Sequence, residues 1–469
     1  MVSHPNQHAR TAGSSADGRL AQHFAHALGE LDPFDLIIRI DEQMYSSVER
    51  IYTVLAHELT HYVQVAATPA GLLQYAAVND LHYRVFRVLR ERGFPDSAVD
   101  LADLLPREGE SASDARPNTP GEILLHLADL WRFADWPVLR ESVHIHAPQA
   151  RVTWDVATAT VRVGELYSCT MGLHAIFEVM AQAIEYHNRF LLAKDQLGVG
   201  RRWGEDIDKL LQQSFRPGDG TNELFHAPGL LYEWPLMHAI QCGISPMNVV
   251  AIYVILCGWI TLYDAQLYTT GSLAFGRRFL ELMNLFESVG PDLYRREMLA
   301  LKSGRPAFNP ISMSDELCAS AGITPFSALI EQFCELLQNV IPFGPPIAWV
   351  AVDGYEIVRR CREAPATFLL LPPQSSRFGR LPRPVIKWRD SWEVPTNGGD
   401  HRVYNQLGWA VQKEILFGAC DNYRALSTGN YGPCRYGQAC IFRGSGKWRT
   451  YLRQVIDLAY ASPLSDTDS

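Results

Sequence analysis

The sequence lacks several features that mark whole classes of protein. The first 24 residues contain no apolar run of the kind that a secretory signal needs, so we expect a disordered tail and a cytoplasmic location. Nine cysteines, an odd number in 469 residues, argue against a disulfide framework. No internal repeat of about 20–50 residues is visible. Glycine and proline are present in ordinary numbers, which excludes a collagenous or low-complexity chain.

An excess of positive charge and a clear membrane span are also missing. The formal net charge of −9 argues against a protein that coats nucleic acid over its whole surface. The longest uncharged stretch, residues 238–263, is long enough to cross a bilayer. It contains Gln241 and Asn248 and has no basic flank, and Ser245 followed by Pro246 is a typical helix start. We therefore expect a buried central helix and no membrane span.

What the sequence does contain is enough apolar side chain for a large core, with 47% hydrophobic and 11% aromatic residues. The hydrophobic periodicity predicts an α+β protein that is mainly helical. We predict helices at 46–66, 71–93, 121–133, 171–192 and 246–290, two further helices within 312–340, and strands at 35–40 and within 142–166. We predict three segments: a tail at 1–24, a metal-binding catalytic domain at 25–345, and a smaller irregular C-terminal domain at 346–469.

The strongest motif is His-Glu-Leu-Thr-His at residues 57–61, which fits the pattern H-E-x-x-H. On a helix, His57 and His61 lie one turn apart on one face, so both imidazoles can bind one metal ion. Glu58 is rotated away by about 100°. It can instead take a proton from a water molecule that the ion acidifies. An amphipathic helix with two surface histidines is the plain alternative.

These residues resemble the zincin superfamily of zinc metallopeptidases. The resemblance covers the helix 46–66 and the strand 35–40 before it, and implies a Zn²⁺ site with His57 and His61 as ligands and Glu58 as general base. The glycine and third histidine of the long metzincin motif are absent after His61. The resemblance is therefore to the gluzincin branch, in which a glutamate on a later helix is the third ligand.

The best candidate for that ligand is Glu178, in the predicted helix that begins at residue 171. That helix is apolar enough to be buried, so its carboxylates need a partner. A polar stripe on it also holds His174, Gln182 and Glu185, of which Gln182 or Glu185 could orient a ligand histidine. Two other interpretations stay open: a solvated polar stripe, and a dinuclear site that would also use His187.

The C-terminal segment 374–455 holds 13 lysines and arginines against five acidic residues, a net charge of +8. Cys420, Cys434 and Cys440 lie within it and could contribute to a structural metal site, which normally needs four ligands. The segment could bind an acidic partner, or it could pack as a basic cap on the acidic remainder of the chain.

Two main functions follow from these patterns. The first is a cytoplasmic zinc-dependent hydrolase, most simply a metallopeptidase acting on a peptide or protein substrate. The second is a non-catalytic or regulatory binding protein, in which an inert zincin-like domain accompanies a basic module that contacts an acidic partner. A biosynthetic enzyme with the same ligands and another metal is a third possibility. The sequence does not identify the substrate or the residue that would stabilise an oxyanion.

Overall fold

The structure is a computed structural model, and it describes thirteen parts of the chain. These are residues 29–31, 36–40, 48–75, 152–163, 167–173, 175–185, 246–264, 267, 272–303, 309–340, 347–363, 384–388 and 392–393. The predicted tail at 1–24 and the predicted helix at 121–133 lie outside them.

Helices dominate the described residues, which confirms the prediction of a mainly helical protein. The helices are α1 (Val48–Ala67), α2 (residues 69–75), α3 (residues 175–185), α4 (Pro246–Tyr263), α5 (Ser272–Lys302), α6 (Pro310–Ala321), α7 (Phe326–Val340) and α8 (Ile347–Glu363). The strands are β1 (Gly29–Leu31), β2 (Ile38–Ile40), β3 (Val152–Asp155), β4 (Thr160–Val163), β5 (Tyr167–Thr170), β6 (Ile386–Trp388) and β7 (Trp392–Glu393).

The strands form two small sheets. One has the order β1-β2-β6-β7, in which β2 and β6 are parallel and the other neighbours are antiparallel. The other is the antiparallel sheet β3-β4-β5. Because β6 pairs with β2 and α8 packs on α1, residues from both sides of position 345 share one sheet and one helix layer. The division into domains there stays a prediction.

The centre of the core is α4. Every residue from 252 to 264 is buried, because α5, α6 and α7 pack around this helix. The predicted helix 246–290 is in fact two helices, α4 and α5, separated at Asp264, whose carboxylate accepts a hydrogen bond from Arg278 Nε at 3.0 Å. Among the described residues, no helix combines the length and apolar character that a bilayer span requires.

Local capping explains why α6 begins and ends where it does. The side chain of Asn309 accepts hydrogen bonds from the backbone N–H groups of Ile311 and Ser312, and Pro310 occupies the first turn. The helix ends at Gly322, whose φ of 68° is the left-handed conformation that glycine adopts at little cost.

The helix that carries the H-E-x-x-H motif, α1, is fixed at several points along its length. Buried Tyr62 donates a hydrogen bond to the carboxylate of Asp353 on α8. Gly354 of α8 lies directly against the backbone of Ala66, where a Cβ atom would overlap the Ala66 carbonyl oxygen. Tyr263, the last residue of α4, donates to the carbonyl oxygen of Ala67. These contacts attach α1 to both α8 and α4.

Substitution of Gly354 tests the close approach of α1 and α8. Alanine would gain about 1 kcal/mol of helix propensity at an open helical position. Here we expect Gly354→Ala to lower the free energy of unfolding by about 1–3 kcal/mol, because the two backbones must separate. Chemical denaturation measures this change. Val352→Ala, at an exposed position of the same helix, is the control and should change stability by less than about 0.5 kcal/mol.

An ion-pair cluster on α8 predicts a pH dependence of stability. Hydrogen bonds from Arg359 lower the pKa of Glu356 against the opposing effect of burial, and Arg360 lowers it further. The stabilisation from the Glu356 carboxylate is therefore present above the ordinary glutamate pKa of about 4.3 and is lost as the pH falls through the lowered folded-state pKa.

Glu356→Gln should accordingly reduce the free energy of unfolding at pH 7, and the difference from the unsubstituted protein should shrink at acidic pH. Denaturation at a series of pH values checks this. Glu335→Gln removes the same charge from an exposed position on α7 and is the control. A difference for Glu356→Gln that grows towards acidic pH would contradict the argument.

Candidate metal centre

The two motif histidines lie one turn apart on α1 and face the same point. Their rings meet edge to face, with the centroids 4.8 Å apart and the planes at 80°. The Nε2 atoms of His57 and His61 are 3.1 Å apart, so the lone pairs of both nitrogens can be directed at one metal ion. Both side chains are largely buried, which limits their contact with water.

Glu178 completes this group from α3. One oxygen of its carboxylate, Oε2, lies 3.4 Å from His57 Nε2, and the other, Oε1, lies 3.4 Å from His61 Nε2. Ligand atoms of the three residues all fall within 4.8 Å of one another. In a tetrahedral zinc site with bonds of about 2.0–2.1 Å, neighbouring ligand atoms lie about 3.3–3.4 Å apart. The two histidine nitrogens, and each nitrogen with its nearer carboxylate oxygen, lie close to that spacing, so the group could hold a metal ion.

The position of α3 depends on α4 as well as on α1. Gly258 of α4 leaves the space that the side chain of Met180 fills, and Met180 is fully buried. Around Met180, the apolar side chains of α3 are buried, whereas Glu178 and Glu185 are partly exposed and reach towards the α1 histidines. Seven residues separate these two glutamates, so both lie on one face.

Each histidine also has an outer partner at its Nδ1 atom. Gln64 Oε1 lies 3.0 Å from His61 Nδ1 in a hydrogen bond, whereas Glu185 Oε2 lies 3.3 Å from His57 Nδ1 as an ion pair without hydrogen-bond geometry. Groups in this position typically fix the orientation of a ligand histidine. The sequence pointed to Gln182 or Glu185 for such a role, and Glu185 is the one beside His57. Gln182 lies one turn after Glu178 on α3 and is partly buried.

The carboxylates around His57 control its charge. Burial favours the neutral imidazole, but Glu178 and Glu185, followed by Glu58, outweigh burial and raise the pKa of His57 well above its ordinary value. Two imidazole nitrogens and a carboxylate that converge in a buried place repel one another unless a cation lies among them. The raised pKa favours a proton at His57, and the same donors could hold a divalent cation.

Glu58 is buried beside the histidines but is held by a different element. Its Oε2 atom accepts a hydrogen bond of 2.7 Å from the backbone N–H of Leu31 in β1. Burial raises the pKa of Glu58, although His57 and His61 act in the opposite direction. A carboxylate with a raised pKa accepts a proton more readily at neutral pH than an exposed one does.

Sequence reasoning missed two of these residues. Gln64 could have been found, because it follows His61 by three residues and so lies on the same face of α1. The contact between Leu31 and Glu58 gives no local signal, since 27 residues separate the two. Other candidates lie outside the described residues: His174, Cys420, Cys434, Cys440, and all of the basic segment 374–455 except 384–388 and 392–393.

Comparison with known proteins supplies no relative for this arrangement. No protein-family model matches the chain, and the searches of curated proteins and of solved structures give no significant match. A function for the chain has to be argued from the geometry of its own residues.

Proposed function

We propose that the protein is a zinc-dependent hydrolase that cleaves a peptide or amide bond. One observation carries the proposal: His57 Nε2, His61 Nε2 and the Glu178 carboxylate converge, and the residue next to His57 is the buried carboxylate Glu58. A base beside a three-ligand metal site is the arrangement that hydrolysis by an activated water needs.

The donor set suits zinc better than magnesium or calcium. Imidazole nitrogens suit zinc and other late transition metals, whereas magnesium and calcium prefer oxygen ligands. Catalytic zinc sites commonly use three protein ligands and leave a fourth position open to water or substrate. Two histidines and one glutamate supply three ligands, and the partial exposure of all three side chains leaves access from solvent.

A bound zinc ion would acidify a water molecule and polarise the carbonyl of the substrate. Glu58 is the residue that would take the proton from that water, because it follows His57 directly and burial raises its pKa. The hydrogen bond from Leu31 holds one carboxylate oxygen, Oε2, in place. The proton that Glu58 accepts can then pass to the leaving amine, which needs one on departure.

The neighbouring strand supports a peptide as substrate. Among the described strands, β1 pairs with β2 alone and stands at one end of the sheet order. The N–H of Leu31 is directed at Glu58, so the base lies beside this strand. An extended peptide that adds to a sheet edge forms backbone hydrogen bonds with it, and such a peptide would run beside Glu58.

Metal titration tests the ligand set. We expect about one zinc ion per chain, measured by competition with a chromophoric chelator. Glu178→Gln should weaken zinc binding by more than the roughly 10–100-fold that loss of an outer partner costs, because it removes a ligand. Glu281→Gln, at an exposed position of α5, is the matched control and should leave zinc affinity unchanged. Equal affinity in the two variants would exclude Glu178 as a ligand.

Glu58→Gln separates metal binding from chemistry. Its amide oxygen can still accept from Leu31, but the amide cannot take a proton. We expect zinc affinity to stay near that of the unsubstituted protein and hydrolysis of a fluorogenic peptide library to fall about 10²–10⁴-fold. Thr60→Val, which removes a buried hydroxyl from the same helix, should keep its activity. Full activity in Glu58→Gln would refute the proposed mechanism.

A further inference from the structure

We propose that Gln64 is a positioning residue for the metal centre. It would fix the tautomer of His61 and would couple that histidine to the turn of α3 that carries Glu178. The inference rests on the proposed metal site, but it concerns a residue that the H-E-x-x-H pattern does not include.

Gln64 lies on α1, is fully buried where this helix meets α3, and forms hydrogen bonds through both the oxygen and the nitrogen of its amide. Its Oε1 atom lies 3.0 Å from Nδ1 of His61, and its Nε2 atom donates a hydrogen bond of 3.1 Å to the backbone carbonyl oxygen of Phe177. Phe177 directly precedes Glu178, so one side chain connects a ligand histidine on α1 with the backbone beside the third ligand on α3.

The carbonyl of Phe177 determines which way the amide of Gln64 points. A carbonyl oxygen can only accept a hydrogen bond, so the group that faces it must be the NH₂ of the amide. The reversed amide would place two oxygens against each other in a buried position. The oxygen of the Gln64 amide is therefore the end that faces His61.

This orientation in turn fixes the proton on His61. An amide oxygen has no hydrogen to give, so Nδ1 of His61 must be the donor in the 3.0 Å contact. A neutral imidazole with its proton on Nδ1 has its lone pair on Nε2. Nε2 is the atom that lies 3.1 Å from His57 Nε2 and 3.4 Å from Glu178 Oε1. Gln64 thus directs the His61 lone pair to the metal position.

The two ligand histidines have chemically different outer partners. His57 has a carboxylate, Glu185, and His61 has a neutral amide, Gln64. An amide orients a histidine without adding charge, so Gln64 supplies a hydrogen bond, whereas Glu185 supplies negative charge near His57. A second carboxylate at this place would add to a cluster that already contains Glu58, Glu178 and Glu185.

The test compares zinc affinity in three variants of the full chain. Methionine has a similar length and helix propensity to glutamine but cannot form the two hydrogen bonds of the Gln64 amide. We therefore expect Gln64→Met to weaken zinc binding roughly 10–100-fold. Gln64→Glu keeps an oxygen that accepts from His61 Nδ1 but loses the donor to the Phe177 carbonyl and adds a buried charge, so it should bind zinc more tightly than Gln64→Met and more weakly than the unsubstituted protein. Thr60→Val, which removes a buried hydroxyl bonded to the carbonyl of Ala56, should bind zinc like the unsubstituted protein.

Thermal unfolding of each metal-free variant distinguishes positioning from a purely structural role. A structural role predicts that Gln64→Met lowers the melting temperature but leaves zinc affinity unchanged, as for Thr60→Val, and that result would overturn the inference. Should Gln64→Met not fold, Gln64→Leu decides: a folded Leu variant that binds zinc like the unsubstituted protein also overturns the inference. Failure of the unsubstituted protein to bind zinc would instead refute the proposed function itself.

Discussion

The meeting of one face of α1 with one face of α3 is the constraint on which the rest of the structure depends. α1 supplies His57 and His61, α3 supplies Glu178, and Gln64 spans the two helices. Neither helix is held by the site alone. α1 is attached to α8 and to the end of α4, and α3 is set by the packing of Met180 in the space beside Gly258. Contacts outside the polar cluster therefore help to hold its two helices in place.

The polar cluster has an electrostatic consequence. Burial of several acidic groups and two imidazoles costs free energy unless charges are paired, because these groups lose their hydration. The carboxylates around His57 oppose the effect of burial and raise the pKa of its imidazole. A divalent cation at the same place would satisfy more of the negative charge than a proton does. The same donor atoms could hold a divalent cation.

Much of the site could be predicted from spacing along a helix. A helix was expected at 46–66 and is found at Val48–Ala67, and the separations from His57 to His61 and from Glu178 to Glu185 are the kind that local geometry fixes. The choice of Glu178 as partner of the histidines came from a family resemblance and from the burial that its helix predicted. Its position near them is observed, while its role as a ligand stays a proposal.

By itself, the sequence determined which residues share a helix face, because rise and rotation per residue are properties of the backbone. It also determined that α4 is buried, since that helix has no polar side. Only the tertiary structure decided which faces meet. The contact of Glu58 with Leu31, the bridge from Gln64 to Phe177, and the pairing of β2 with β6 join residues 27, 113 and 348 positions apart. Contacts of that range depend on how whole helices and sheets pack, which no local pattern encodes.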